Sequence, residues 1–176
     1  MNYYKTTSLI IFLTLCFSFQ ATAQRKAKKQ ADKDTQNWRY EIECEGTGKE
    51  GTDLIKVWSY SKNKDVAIEQ AKKNAVHGII FRGVPPGERG CFAQPPLARN
   101  ANLEQEKKDF FNDFFSNGGK YMKFVNLTTD GAVLAGDRMR IGKKEYKIGV
   151  IVSVNKSLLR KDLEEAGIIK GLSSGF

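Results

Sequence analysis

Apolar and polar side chains alternate along several short stretches of this chain, which is typical of strands with one buried face. In residues 38–45 the apolar positions are Trp38, Tyr40, Ile42 and Cys44. A glycine-rich turn at 46–51 and a second run of strand-forming residues at 54–60 follow. This order predicts an antiparallel hairpin. A second hairpin is predicted from 138–142 and 145–154, with its turn at Lys143 and Lys144.

Three other segments have the periodicity of helices. The first, 65–81, has alanine at every fourth position, which lets a helix lie close to a sheet. The second, 103–117, has an aromatic face that we interpret as core, formed by Phe110, Phe111, Phe114 and Phe115. Residues 121–127 are predicted to be extended, and 158–166 form the last helix. The predicted fold is therefore α+β, an antiparallel sheet of about four strands with two or three helices on one face.

Residues 83–102 form the least regular stretch and hold all four prolines of the chain. A proline-rich connection of this length is either a partner-binding loop or an elaborate linker. The candidate binding residues in the loop are Pro85, Pro86, Glu88, Arg89, Phe92, Pro95 and Pro96. The second hairpin adds a basic group, Arg138, Lys143 and Lys144.

The N-terminus has the pattern of an export signal. Residues 1–23 contain a short apolar run and end in an A-x-A site, which predicts cleavage after Ala23. An uncleaved anchor is one alternative. Lipidation at Cys16 is another, although Leu15 is large for the position before a lipidated cysteine. We expect the mature protein in the periplasm or associated with the outer membrane.

A basic segment, 24–37, follows the signal and lacks large apolar residues, which predicts a flexible tether. Its bases, within 25–33, could touch an anionic surface. The remaining chain is predicted to form a single domain, 38–167, followed by a loose tail at 168–176.

The amino-acid composition excludes several kinds of metal and catalytic site. One histidine excludes a multi-histidine metal site within the chain, and three cysteines exclude a four-cysteine zinc site. His77 is interpreted as a surface or boundary histidine. No phosphate-binding or hydrolase signature is present, so we expect no metal, no cofactor and no enzymatic activity. The net charge of +9 invites a nucleic-acid interpretation, but no recognition motif is present and an exported chain rarely meets nucleic acid.

Two cysteines, Cys44 and Cys91, remain after removal of the signal. In an exported chain they can form a disulfide, or they can be two free thiols. The spacing alone does not decide between these alternatives.

The alanine stripe Ala67, Ala71 and Ala75 follows a hairpin, and the paired strands of 138–154 precede a leucine-rich helix. This arrangement resembles the N-terminal domain of the flagellar T-ring protein and related small periplasmic lipoproteins. The resemblance covers about residues 38–167 and implies assembly or scaffolding in the cell envelope.

Three functions follow as hypotheses. The leading one is an exported envelope interaction or assembly protein, with an envelope protein as its partner and an unspecified oligomeric state. The second is a binding module for an anionic polymer or lipid, which uses the basic arm and the second hairpin. The third and weakest is an enzyme that uses Cys91 with His77, or Glu88.

Overall fold

The computed structural model describes residues 25, 26, 29–31, 33, 35, 37–48, 51–88, 90–143 and 145–171. The predicted signal, its cleavage site and the end of the predicted tail lie outside these residues.

Five antiparallel strands form one sheet, and their bounds follow in chain order. They are β1 (Tyr40–Thr47), β2 (Thr52–Ser61), β3 (Val125–Leu127), β4 (Arg138–Arg140) and β5 (Tyr146–Asn155). The order across the sheet is β1-β2-β5, and both β3 and β4 pair with the other edge of β5. Both predicted hairpins are confirmed, although Trp38 precedes β1 instead of belonging to it.

The pairing register puts the apolar positions of the central strands on one face. Ile55 lies opposite Val152, and Val57 lies opposite Val150. All four side chains are fully buried. Alternation of polar and apolar residues therefore gives the sheet one face that packs against helices.

After the first hairpin, the described residues form four helices and two 3-10 turns. The helices are α1 (Lys64–Phe81), α2 (Leu103–Glu106), α3 (Lys108–Phe114) and α4 (Lys156–Glu165), and the 3-10 turns are Lys120–Phe124 and Ala135–Asp137. The Asn63 side chain accepts a hydrogen bond from the Asp65 amide and so caps α1. The alanine stripe of α1 is fully buried, and its small side chains let the helix approach the sheet. These elements confirm the predicted α+β fold.

The aromatic segment after the loop differs in part from its prediction. The single helix predicted over 103–117 is interrupted at Lys107, whose backbone is not helical. Leu103 and Phe111, on either side of the break, both belong to the core. The interpretation of the phenylalanine face as core is confirmed, because Phe111, Phe114 and Phe115 are buried.

The prediction of an extended segment over 121–127 is wrong in its first half. A 3-10 turn occupies Lys120–Phe124. Residues three apart lie on the same side of such a turn, and Tyr121 and Phe124 are both 2% exposed. Burial of these two aromatic rings therefore favours the turn.

The structure describes part of the basic segment that precedes the domain. Those residues of 25–35 that the structure describes have helical backbone, and Ala31 and Thr35 are buried. The Thr35 hydroxyl donates a 2.7 Å hydrogen bond to the Ala31 carbonyl. Ala31 and Thr35 are four residues apart, which is the spacing of one helical face. In the part of the chain that is described, no helix has the length and apolar content needed to span a membrane.

Candidate functional site

The proline-rich loop 83–102 is cross-linked to the edge strand of the sheet. Cys91 forms a disulfide with Cys44 of β1, and their Cα atoms are 6.0 Å apart. The cysteine pairing that the sequence left open is therefore present. Such a bond indicates an oxidising environment, as exported proteins meet. The Cys91 sulfur is consequently not a thiolate nucleophile.

Hydrogen bonds shape the loop around this disulfide. Val84 and Gln94 exchange two backbone hydrogen bonds of 2.9 Å. This pair closes residues 84–94 into a lobe. Within the lobe, the Gly87 amide donates to the Cys91 carbonyl at 3.1 Å. Gly83 enters the lobe with a φ of +77°, a conformation that favours glycine. The lobe is thus closed at its base and near its tip.

Gln94 joins the loop to the rest of the domain. Its side-chain amide donates to the Asp53 carboxylate of β2 at 2.8 Å. Its side-chain oxygen accepts a hydrogen bond from the Lys156 ammonium group at the start of α4. Asp53 is only 5% exposed, so this anchor is protected from water.

Most of the predicted loop residues are presented to solvent. Pro85, Pro86, Glu88 and Pro95 are exposed, and Pro96 is half-buried. Phe92 is 80% exposed, the highest value among the large exposed hydrophobic residues of the described chain. Arg89 lies outside the described residues.

The predicted basic residues lie elsewhere on the sheet. Arg138 belongs to β4, Lys143 follows it, and both are exposed. The Arg138 guanidinium lies 4.6 Å from the centre of the Tyr146 ring. Because β2 and β5 separate β4 from β1, these residues and the loop do not form one continuous site. Lys144 lies outside the described residues.

A second cluster surrounds His77, which is 3% exposed and not at the surface as expected. The Tyr40 hydroxyl lies 2.6 Å from His77 Nδ1. On the other side of the ring, His77 Nε2 is hydrogen-bonded to Glu104 Oε2 at 3.4 Å. The Trp38 indole N–H donates to the other oxygen of this carboxylate, Oε1, at 2.7 Å. Tyrosine, histidine and glutamate thus form a hydrogen-bonded chain.

Burial determines the charge state of this chain. Desolvation lowers the pKa of His77 and raises the pKa of Tyr40. The hydrogen bond from His77 helps to lower the pKa of the Glu104 carboxyl. These pKa shifts favour a neutral imidazole. Its Nδ1 accepts a hydrogen bond from the Tyr40 hydroxyl, and its Nε2–H donates one to the Glu104 carboxylate.

Trp38 adopts a strained backbone conformation above this chain. Its φ is +44°, which is rare for a bulky residue. Arg82 donates hydrogen bonds to the Trp38 carbonyl at 2.8 Å and to the Tyr40 carbonyl at 3.2 Å. The Arg82 guanidinium also lies 4.0 Å from the centre of the Tyr40 ring. Arg82 therefore holds the strained residue in place from the end of α1.

A cavity of about 500 Å³ opens beside the cluster. Trp38 and Glu104 line it together with Lys73, Phe111 and Phe115, whereas His77 and Tyr40 do not. Burial lowers the pKa of Lys73 to about 8. Among the described residues, no group of three or more histidine, cysteine, aspartate or glutamate side chains could hold a metal ion. The cluster is therefore a buried polar network next to a cavity, with the imidazole set behind the cavity wall.

This cluster is not predicted from the sequence, although α1 contains one signal for it. Gln70, Asn74 and His77 lie at the spacing of one helical face, and all three are buried. The partners of His77, which are Tyr40 and Glu104, come from distant parts of the chain, so the pattern along α1 does not identify them.

Against known proteins, the chain matches no family model, no curated protein and no solved structure.

Proposed function

We propose that this protein is an exported bacterial envelope interaction protein that binds an envelope protein partner through its proline-rich loop. The observation that carries the proposal is the position of Phe92. Its side chain is 80% exposed on a loop that the Cys44–Cys91 disulfide ties to the sheet.

The energetics favour a recognition role for this loop. An exposed phenylalanine gains free energy when a partner buries it, and aromatic residues often dominate the binding energy of interfaces. Four neighbouring prolines and a disulfide restrict the loop before binding. Less conformational entropy is then lost in the complex.

Two features support export as part of this proposal. The chain begins with the pattern of a signal peptide cleaved after Ala23, and the disulfide suits an oxidising compartment. The proposed location is the periplasm or the outer membrane. By its resemblance to flagellar T-ring-type modules, the protein would be an accessory subunit of a periplasmic or secretion-type machine.

The alternative is a module that binds an anionic polymer or lipid through the second hairpin. The contacts of this region give it less support. Lys147 is paired with the Glu41 carboxylate, and Arg140 donates to the carbonyls of Gly142 and Lys143. These interactions occupy two cations of the hairpin and leave Arg138 and Lys143 as the exposed ones that the alternative would use.

The test places a photocrosslinking amino acid at position 92 of the full chain in intact cells of the native organism. The matched control carries it at Leu134, another exposed apolar residue, which is 60% exposed. We expect one envelope protein, identified by mass spectrometry, to crosslink from position 92 and not from position 134. The crosslink should weaken in a Cys44→Ser/Cys91→Ser variant.

Equal crosslinking from both positions, or capture of cytosolic proteins alone, would overturn the proposal. Salt-sensitive retention on anionic vesicles that is lost on neutralising Arg138 and Lys143, with no crosslink from position 92, would instead support the alternative.

A further inference from the structure

A groove of about 630 Å³ lies between the end of the proline-rich loop and the end of α4. Its lining comes from 97–100 and Leu103 on one side, and from Arg160 and 168–171 on the other. Phe92 is not part of it. The groove shares residues 97–100 with the proline-rich loop but does not include Phe92, so the inference drawn from it does not rest on the proposed function.

The floor of the groove is aliphatic. Leu97 and Leu103 are buried, and Ile168 and Ile169 are half-buried and pack against the core. None of the described residues that line it is aromatic. Branched aliphatic side chains suit a flexible alkyl chain better than a planar ring, because they offer no ring face for stacking.

The rim of the groove is cationic. Arg99, Arg160 and Lys170 line it, and none of the lining residues that the structure describes is acidic. Arg160 contacts the Glu164 carboxylate at 3.5 Å, whereas neither Arg99 nor Lys170 forms an ion pair with another described residue. An anionic group at this rim would therefore meet two cations without a competing carboxylate between them.

Backbone hydrogen bonds hold both walls in place. The amides of Leu97 and Ala98 donate to the carbonyls of Ile79 and Ile80 near the end of α1, at 3.1 and 2.8 Å. On the other wall, the Ile168 amide donates to the Leu163 carbonyl at 2.9 Å. Because the walls are formed in advance, binding would not need to order them.

We propose that this groove binds a fatty-acid-type amphiphile, with the alkyl chain on the aliphatic floor and the carboxylate at Arg99 and Lys170. Charge complementarity selects the anionic head, and the aliphatic floor selects the chain. An acidic peptide with aliphatic side chains is the other occupant that this chemistry admits.

The test measures the affinity of the full chain for hexanoate, octanoate and decanoate by calorimetry, below their micelle-forming concentrations. Burial of each additional methylene should strengthen binding by about fourfold. Decylamine, which has the same chain and a cationic head, should bind at least about tenfold more weakly than decanoate, because its head repels the rim.

Charge reversal locates the head group. Arg99→Glu combined with Lys170→Glu should weaken decanoate binding by at least about tenfold. The matched control is Lys62→Glu combined with Lys64→Glu, which reverses two exposed charges at the start of α1 and should leave the affinity unchanged. All four positions are exposed, so both double variants should unfold at the temperature of the parent protein.

Several results would overturn the proposal. These are no decanoate binding at millimolar concentration, an affinity independent of chain length, equal binding of decylamine, or equal losses in the two double variants. Tighter binding of the peptide acetyl-Glu-Leu-Leu-Glu-amide than of decanoate would overturn it in favour of a peptide-binding groove.

Discussion

The indole ring of Trp38 stacks on the imidazole of His77, with ring centroids 3.7 Å apart and planes inclined by 20°. The same indole donates its N–H to Glu104, the carboxylate that His77 faces. Trp38 therefore covers the ring and also stabilises the carboxylate beside it with a hydrogen bond. The strained backbone of Trp38 is the conformational cost of this double contact.

Removal of the Tyr40 hydroxyl should destabilise the domain. Tyr40→Phe leaves His77 Nδ1 without its buried partner, so we expect a loss of about 1–2 kcal/mol in the free energy of unfolding, measured by urea denaturation. Tyr60→Phe removes a hydroxyl from an exposed hydrogen bond to Glu41 and is the matched control, with an expected change below about 0.5 kcal/mol. Equal losses in the two variants would contradict the role of the buried chain.

His77 should make stability depend on pH below neutrality. Burial lowers its pKa in the folded state, and the Arg82 charge also lowers it, while Glu104 partly opposes the shift. The unfolded chain, with a histidine pKa of about 6.5, then binds more protons than the folded one as pH falls below that value. Stability is therefore greatest above pH 6.5 and declines as pH falls toward the folded pKa.

The variant His77→Phe isolates this effect, because His77 is the one histidine in the chain. Denaturation curves between pH 5 and 7 should show a smaller slope of stability against pH in the variant than in the parent protein. Identical slopes would show that the folded and unfolded states share the same histidine pKa.

The disulfide should make a large contribution to stability. Cys44 and Cys91 are 47 residues apart, and closing a loop of this length stabilises by up to about 4 kcal/mol in the chain-entropy model. We expect the Cys44→Ser/Cys91→Ser variant to lose about 2–4 kcal/mol. Reductant should lower the unfolding temperature of the parent protein and leave that of the variant unchanged, and a parent protein insensitive to reductant would contradict the expectation.

Two glycines of the proline-rich loop should respond differently to alanine. Gly83 and Gly90 both have positive φ, near +77°. A Cβ at Gly83 would lie 2.2 Å from the Gln94 carbonyl oxygen, whereas a Cβ at Gly90 has no atom within 4 Å. We expect Gly83→Ala to cost about 3 kcal/mol and Gly90→Ala about 1 kcal/mol in chemical denaturation. Similar costs would mean that the base of the lobe moves aside without penalty.

The sequence pattern was sufficient to predict those elements of the fold that depend on a short stretch of chain. The alternation at Tyr146, Ile148 and Val150 predicts β5 because a strand turns successive side chains to opposite faces. The alanine stripe predicts α1 in the same way, within one residue of its observed start. The irregular loop was also predictable, since proline is unfavourable in the interior of helices and in central strands.

Other features depend on residues that are distant in the chain. Nothing in the pattern around His77 identifies Tyr40, Trp38 and Glu104 as its neighbours, because those contacts form only when β1, α1 and α2 pack together. The interruption of the aromatic helix at Lys107 and the 3-10 turn at 120–124 arise in the same way, from core space that several elements share. The disulfide, too, required the loop and β1 to meet.

The features that the sequence predicted depend on periodicity, whereas those that only the structure showed depend on proximity. Periodicity is a property of a short stretch of backbone, so composition and spacing reveal export-type patterning, strands, helices and an irregular loop. Proximity results from the packing of the whole chain, which is why the disulfide, the buried tyrosine–histidine–glutamate chain and the cationic rim of the aliphatic groove emerged only from the tertiary structure.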